Sequence, residues 1–459
     1  MVKHNSAFKT FALWQALVVP VVIVIFVGMG LVVGATEVVT VLVALVSLLY
    51  FADMLFNLFL VSSSLSHSSE FKVTAKQMAV ERDWPTYTVF CPLYKETSVL
   101  KQFTTAMNKL DYPKDKLRIM LLLEEDDLET INAARAMGLA KHFEIVVVPH
   151  SLPKTKPKAC NYGLTLTHSE YCVIFDAEDI PARNQLKKAV ISFENAPGDI
   201  ACIQAKLNFY NSTQNMLTRM FTAEYSLWFN LTLVGLQNIK GPVPLGGTSN
   251  HFKTYVLKGL YGWDPYNVTE DCDLGIRLYK QGFRTGVLDS YTLEEANSKY
   301  GNWLRQRSRW IKGYMQTFLV HTRNPRQIQK HPLDMHIFTF YLVVGGKVLS
   351  ILANPLMWLL TLSYFILKPI VGATIESIYP TPIFYIALVT LVFGNLLYLY
   401  YFMLGTAQRE QWNLIKFVVI VPLYWLMMSI AGFYALYQLI VKPHYWEKTT
   451  HGLHLAKAK

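Results

Sequence analysis

Tyr171-Cys172-Val173-Ile174-Phe175-Asp176-Ala177-Glu178-Asp179 passes from five mostly apolar residues straight into three carboxylates. A run of about 4–8 apolar and β-branched residues bounded by polar ones reads as a strand. An acidic loop at the carboxyl end of such a strand lies where open α/β sheets bind their ligands. The pattern recurs upstream. Residues 86–90, 117–123 and 144–148 are also short apolar segments, and the second of them runs into Glu124-Glu125-Asp126-Asp127. Helical stretches separate the four. Residues 63–335 therefore predict an α/β domain with a largely parallel sheet.

On both sides of that domain the chain turns apolar. Residues 11–34 and 38–61 are runs of spanning length joined by Ala35-Thr36-Glu37, which reads as a transmembrane hairpin over residues 1–62. The first run is too long and too closely followed by the second for a cleaved signal peptide. Lys3 and Lys9 precede the hairpin, and Lys72, Lys76 and Arg82 follow it, so the positive-inside rule puts both flanks, and with them the 63–335 domain, in the cytosol. The region 336–445 holds three more runs, 337–367, 383–404 and 417–441. Three simple crossings would leave the basic tail 446–459 outside, against its charge. Pro355 and Pro422 are expected to break two of these runs into re-entrant, interfacial or paired segments, which returns the tail to the cytosol. The expected setting is a multi-pass protein of the plasma membrane.

Composition agrees with lipid as the main partner. Of 459 residues 52% are hydrophobic and 16% charged, against about 25% charged in soluble domains. The excess of +11 charges lies largely beside the apolar runs, at Lys442, Lys448, Lys457 and Lys459 among others, where anionic lipid attracts it. No nucleic-acid-binding signature accompanies it. Cys91, Cys160, Cys172, Cys202 and Cys272 are odd in number, contain no C-x-x-C spacing and fit reduced cytosolic thiols. The N-x-T sequons at Asn211, Asn230 and Asn267 read as chance in a cytosolic region.

The polar residues of the domain suggest a chemistry. Asp176 and Glu178, one residue apart at a strand end, can share a divalent cation with substrate phosphates; the same segment reads equally as an acidic surface loop. Thr269-Glu270-Asp271 opens an amphipathic helix. Asp271 can act there as a general base, with helix capping as the plainer reading, one that Asp273 fits at least as well. Lys154, Lys156 and Lys158 precede a helix and can contact a diphosphate or simply be solvated, the latter preferred for Lys154. In Gln306-Arg307-Ser308-Arg309-Trp310, Arg309 can neutralise a leaving diphosphate, Trp310 offers a flat face to a sugar ring, and Gln306 can bond hydroxyls. A metal, a base, a diphosphate clamp and an aromatic platform together describe sugar transfer from a nucleotide.

In the order of these elements the chain resembles the membrane-integrated family 2 glycosyltransferases, relatives of the cellulose, hyaluronan and poly-N-acetylglucosamine synthases. The resemblance rests on Glu124 to Asp127, Asp176-Ala177-Glu178-Asp179, Thr269-Glu270-Asp271 and the Q-x-x-R-W segment. It implies a GT-A-like, Rossmann-like cytosolic domain inserted between N- and C-terminal transmembrane helices. It implies Asp271 as catalytic base with Glu270 beside it, Asp176 with Glu178 or Asp179 as Mg²⁺ or Mn²⁺ ligands, and Glu124 and Asp126 near the nucleotide base. Lys158 and Asn161 resemble the family's K-x-x-N element near the nucleotide. Leu245-Gly246-Gly247-Thr248-Ser249 resembles its acceptor-side glycine loop, giving Gly247 and Thr248 an acceptor role beside Gln306, Arg309 and Trp310. Residues 215–237 and 302–321 fit as interface helices.

The function so implied is inverting transfer from a nucleotide-diphosphate sugar, a UDP-sugar by resemblance, onto a glycan acceptor, building a β-linked polysaccharide; its translocation and accessory secretion subunits are left open. A single-addition transferase acting on a lipid or oligosaccharide uses the same residues. A non-catalytic transporter or scaffold is a third reading, but it predicts polar residues inside the spans, whereas here the acids concentrate outside them. Asp53 and Lys347 are the few charges within apolar runs, lining a glycan path or lying near an interface.

Overall fold

The structure, a computed structural model, describes residues 6–324 and 335–446. The basic tail expected over 446–459 lies, beyond Trp446, outside the described residues, as does Lys3. Helices α1 (Leu13–Val32) and α2 (Ala35–Ser66) form the expected hairpin. It turns at Gly34, whose φ of 112° is one that a side chain with a Cβ rarely adopts.

Among the described residues eight strands follow: β1 (Tyr87–Leu93), β2 (Leu117–Glu124), β3 (Phe143–Val148), β4 (Tyr171–Ile174), β5 (Ile180–Pro181), β6 (Ile200–Phe209), β7 (Asn250–Lys253) and β8 (Arg284–Glu294). They form one sheet in the order β3-β2-β1-β4-β7-β6-β8-β5. Strands β3, β2, β1 and β4 are parallel, as the four expected segments require. The other half departs from the largely parallel expectation, because β7 runs antiparallel to both β4 and β6, and β5 antiparallel to β8. Sequence reading missed β6 and β8 because their buried positions include polar residues that break the apolar pattern. Gln204 bonds Thr248 O and the Gly246 amide, Lys206 pairs with Glu70, and Asn208 bonds Ser226.

Side chains alternate across the sheet as strand geometry dictates. Tyr87, Val89, Cys91 and Leu93 of β1 face a core with the helices Thr97–Asn108 and Leu128–Ala136, whereas Phe90 faces the other core, against α3 (Lys156–Leu166). That second core also takes in Phe56 and Leu60 of α2, which fastens the hairpin to the sheet. Helix α4 (Met216–Leu227) continues through a wider turn, Trp228–Thr232, into Leu233–Asn238. After it come α5 (Glu270–Lys280) and α6 (Tyr300–Thr322), the latter matching the helix expected over 302–321.

The C-terminal part comprises α7 (Lys347–Ile366), α8 (Lys368–Ser377), α9 (Asn395–Ala407) and α10 (Val421–Val441). Among the described residues five helical stretches are long and apolar enough to cross a membrane: Leu13–Val32, Ala35–Ser66, Phe338–Ile366, Thr381–Ala407 and Trp412–Val441. Neither proline breaks a run as expected. Pro355 sits within α7, and Pro422 lies in the first turn of α10, where no N–H is needed. The interruption falls instead at Leu367, between α7 and α8.

Candidate active site

The loop after β4 carries the first pair of acids. Asp179 is turned inward: its Oδ2 accepts from the Asp176 amide at 2.7 Å and from the Thr248 hydroxyl, closing the turn. Thr248 also donates to Ile174 O at 2.9 Å, so its hydroxyl holds the loop. Glu178 instead lines the cavity beside Asp176. Burial, and then the neighbouring Asp176, push the Glu178 carboxyl well above the usual range. Of the two acids left open by the sequence, Glu178 is the one facing the cleft.

Opposite stands Lys156, the first residue of α3, with its ammonium 2.5 Å from Asp176 Oδ1 and 2.6 Å from Gly247 O. A Cβ added at Gly247 would lie 3.4 Å from Asp271 Oδ2, 3.9 Å from Lys156 Nζ and 4.0 Å from Asp176 Oδ2. Glycine thus leaves open the one point on which these three groups converge.

Glu270 and Asp271 occupy the first turn of α5, where the positive end of the helix favours acids. Asp271 Oδ1 accepts from the Cys272 amide at 2.7 Å. Burial nevertheless outweighs that bond and the attraction of Lys156 and Arg309, and raises the Asp271 carboxyl to about 6. Glu270 is raised too, by burial and then by Asp271. The helix is capped by neither candidate, since its N-cap position is Thr269. Asp273 lies inside the helix, where Arg277 Nε at 2.7 Å and His321 Nε2 at 2.9 Å hold it.

From α6, Gln306, Arg309 and Trp310 all line the same cavity. Gln306 Oε1 accepts from Asn297, which fixes its amide. The Arg309 guanidinium lies 4.5 Å over the Trp446 ring and within electrostatic reach of Glu270, Asp271, Asp176 and Glu178. Its Nε is buried without a hydrogen-bond partner among the described residues. Trp310 is covered on one side by Arg307, 4.8 Å from its ring, and Arg307 is itself paired with Glu224.

The residues expected near the nucleotide are less concentrated. Glu124 lines the cavity and accepts from Lys158 at 2.6 Å; Asp126 does not line it but pairs at 2.6 Å with Lys154, which does. Asn161 does not reach the cleft, because both ends of its amide bond the Trp263 backbone. Of two further cleft residues, Lys156 is named from sequence as a possible diphosphate contact but not separated from Lys154 and Lys158, and only its place at the start of α3 distinguishes it; the other escapes notice. Glu294, at the end of the unrecognised strand β8, also lines the cavity, and burial followed by Asp179, Glu178 and Asp176 raises its carboxyl.

Among the described residues no three His, Cys, Asp or Glu side chains form a metal cage. A Mg²⁺-type site does not require one, since one or two carboxylates with substrate phosphates and water suffice. The residues fit such an ion on a second ground: Asp176, Glu178 and Glu294 repel one another in a buried cleft, which a divalent charge relieves.

The cavity, of about 880 Å³, continues from these groups to Tyr50, Asp53 and Asn57 of α2, Asn354 and Trp358 of α7, and Tyr379. Asp53 accepts from Asn57 at 3.0 Å and from the Tyr398 hydroxyl, and Lys347 lies 5.6 Å from the Tyr398 ring, so both charges noted within apolar runs border this space. The amides of the sequon residues Asn211, Asn230 and Asn267 are all engaged in internal bonds. All five cysteines are buried and unpaired.

The family description "Glycosyl transferase family group 2" matches residues 171–441. A probable glycosyltransferase, YdaM, of Bacillus subtilis (strain 168) is 23% identical over 305 residues, covering 65% of this chain and 72% of that one. A probable glucomannan 4-beta-mannosyltransferase 7 of Oryza sativa subsp. japonica is 28% identical over 239 residues, covering 50% of this chain and 41% of that one. Among solved structures, a mannosyltransferase PcManGT from Pyrobaculum calidifontis, in complex with GDP-Man and Mn²⁺, superposes with a TM-score of 0.51 at 16% identity, over 86% of this chain and 99% of that one. At that identity the likeness is one of fold.

Proposed function

This chain belongs to glycosyl transferase family group 2, and we propose that it is a membrane-embedded, inverting transferase that moves a sugar from a nucleoside diphosphate onto the end of a glycan. The observation that carries the proposal is the convergence of Asp271, Asp176 and Lys156 at Gly247, inside a cavity that runs on between apolar helices. In a single displacement the acceptor oxygen attacks the anomeric carbon as the bond to the diphosphate breaks. Asp271 takes the hydroxyl proton, and Arg309 and Lys156 meet the charge that develops on the leaving diphosphate. A Mg²⁺ or Mn²⁺ ion held by Asp176 and Glu178 would add positive charge at the donor diphosphate. Glu270, whose carboxyl is raised beside Asp271, shapes the field around the base.

Donor-side residues are Glu124 with its partner Lys158; Asp126 and Asn161 act from behind the cleft. On the acceptor side stand Gln306, Trp310 and the Gly247-Thr248 loop. Two relatives are mannosyltransferases by name, one of them seen with GDP-Man and Mn²⁺. Those names support assaying GDP-mannose beside UDP-glucose and UDP-N-acetylglucosamine.

The aromatic and amide side chains along the inner cavity, among them Tyr50, Asn57, Asn354 and Trp358, suit a chain of sugar rings and support polymerisation with the product led into the membrane. A second reading, single addition to a lipid-borne acceptor, draws on a different observation. Neither α7 nor Thr381–Val389, which border the cavity, has a fully buried residue. Incubating the purified protein with each donor and Mg²⁺ or Mn²⁺, then measuring nucleoside-diphosphate release and product length, separates the two. A ladder of long products supports the polymerase, a single glycolipid supports the second reading, and no release with any donor overturns both.

A further inference from the structure

Among the described residues five helices are long and apolar enough to cross a membrane, and Trp412–Val441, with a mean hydropathy of 2.1, falls within the range of the others. Its surroundings differ from theirs. We infer that α10 does not cross the bilayer but lies along its catalytic-side surface, packed on α6, so that the chain crosses four times. This rests on the chain being membrane-embedded and goes beyond it.

Helix α10 accompanies α6 from end to end, with residue numbers rising together. Near its start Tyr424 bonds Trp303 at 3.3 Å and Arg307 at 3.0 Å. In its middle Ala431, Ala435 and Leu439 pack on Ile311 and Met315. Just past its end Lys312 donates to Tyr445 O at 2.7 Å and Gln316 to Pro443 O at 2.9 Å. Helix α6 is in turn bound to the sheet domain, through Thr317 to Asn267 and His321 to Asp273. Both flanks of α10 are held by that domain as well. Gln411 bonds Ser226 and Asn208, while His444 packs against Tyr266 and Trp446 against Arg309. A crossing helix of this length would carry its two ends about 30 Å apart, to opposite faces of the hydrocarbon.

Of the helices that do cross, α7 meets α10 through its first two turns, at Val348, Ile351 and Leu352, and α9 through its second half, where Phe402 and Met403 pack with Val421 and Tyr424. The path then closes evenly. Ser6 and Ala7 bond Asp264 of the sheet domain; α1 leaves it and α2 returns to it; α7 leaves, and α9 returns to bond Asn230 through Gly405 O. Four crossings bring residues 442–446 back to the side of the active site.

An in-plane helix usually turns a polar face to water and an apolar face to lipid. Here α6 and α7 occupy the place of water, so α10 needs no polar face, and its composition resembles that of a span. Leu423, Ile430, Phe433, Tyr437 and Ile440 all remain more than half exposed. The partner for this stripe is the acyl and headgroup boundary of the catalytic-side leaflet. The same arrangement removes the conflict between the count of apolar runs and the charge after them.

Accessible cysteines in the full-length protein test this, because its own five are buried. Gly198→Cys reports the catalytic domain, Ser377→Cys the far end of α7 and α8, and Lys442→Cys or Tyr445→Cys the end of α10. A membrane-impermeant maleimide is applied to sealed vesicles of known orientation and again after detergent, which shows that each thiol is reachable. We expect Lys442→Cys and Tyr445→Cys to react from the same side as Gly198→Cys, with Ser377→Cys reacting from the other. Reaction of residue 442 or 445 together with residue 377 overturns the inference and leaves the membrane reading standing. Reaction of residues 198 and 377 from one side removes the membrane reading, and the inference with it.

Discussion

Asp271 and Asp273 stand two residues apart on one helix, the first half-buried in the cavity wall and the second fully buried, and their surroundings drive them in opposite directions. Asp273 is met by Arg277 and His321, and those partners overcome its burial and hold it down at about 2. Asp271 has a single backbone amide, with Lys156 and Arg309 farther off, and burial wins. An acid with its partners in place is fixed and inert. One that is buried with its partners held back is poised to accept a proton, and it faces the open point at Gly247. The first cluster ties α5 to α6, and the second is where the chemistry is proposed to occur.

If that contrast is right, Asp273→Asn is the most damaging change to the fold. It leaves the Arg277 guanidinium buried without its charge partner, at an expected cost of roughly 3–5 kcal/mol, read as a large fall in apparent melting temperature. Asp271→Asn should leave that temperature unchanged or raise it. A smaller effect is expected at Gly247→Ala. The added methyl meets its neighbours at ordinary contact distances, so the protein should fold normally, yet the methyl fills the point of convergence. Turnover should fall roughly 10–100-fold with the melting temperature preserved; a fall in both would point to packing instead.

The pH dependence should separate the two acids as well. Because the folded Asp271 carboxyl is raised to about 6, kcat/KM should fall about tenfold per pH unit below that value as the base is protonated. For stability the signs oppose. Ionising Asp271 costs stability as pH rises from about 3.9 towards 6, whereas the contribution of Asp273 is present above about 3.9 and is lost as pH falls towards 2. A kcat/KM profile flat between pH 5 and 7 (about two units spanning the folded value) would count against Asp271 as base. The smallest effect belongs to Asp126→Asn, whose pair with Lys154 lies at the surface; no change in melting temperature is expected, and any change in donor KM should be slight.

Consecutive residues made parts of this site legible in the sequence. Asp176-Ala177-Glu178-Asp179 and Thr269-Glu270-Asp271 declare themselves by type and position, and the strand before the first of them fixed half of the sheet. What the sequence hid was set through space. Glu294 and Lys156 enter the cleft only because β8 pairs with β6 and α3 begins opposite β4. The choice of Glu178 over Asp179 depends on which carboxylate the loop amide and Thr248 take up. Strands β6 and β8 were obscured by buried polar residues whose partners are distant in sequence. Helix α10 shows the same limit on a larger scale, since apolar composition alone does not distinguish lipid on all sides from lipid on one.

The most direct test of the account compares donor turnover and nucleotide binding in Asp271→Asn with the unaltered protein, both reconstituted with Mn²⁺ and the donor that supports release. With Asp271 as the base, nucleoside-diphosphate release should fall by roughly 10²–10⁴-fold while nucleotide affinity stays within a few-fold. Release at near the unaltered rate would contradict it.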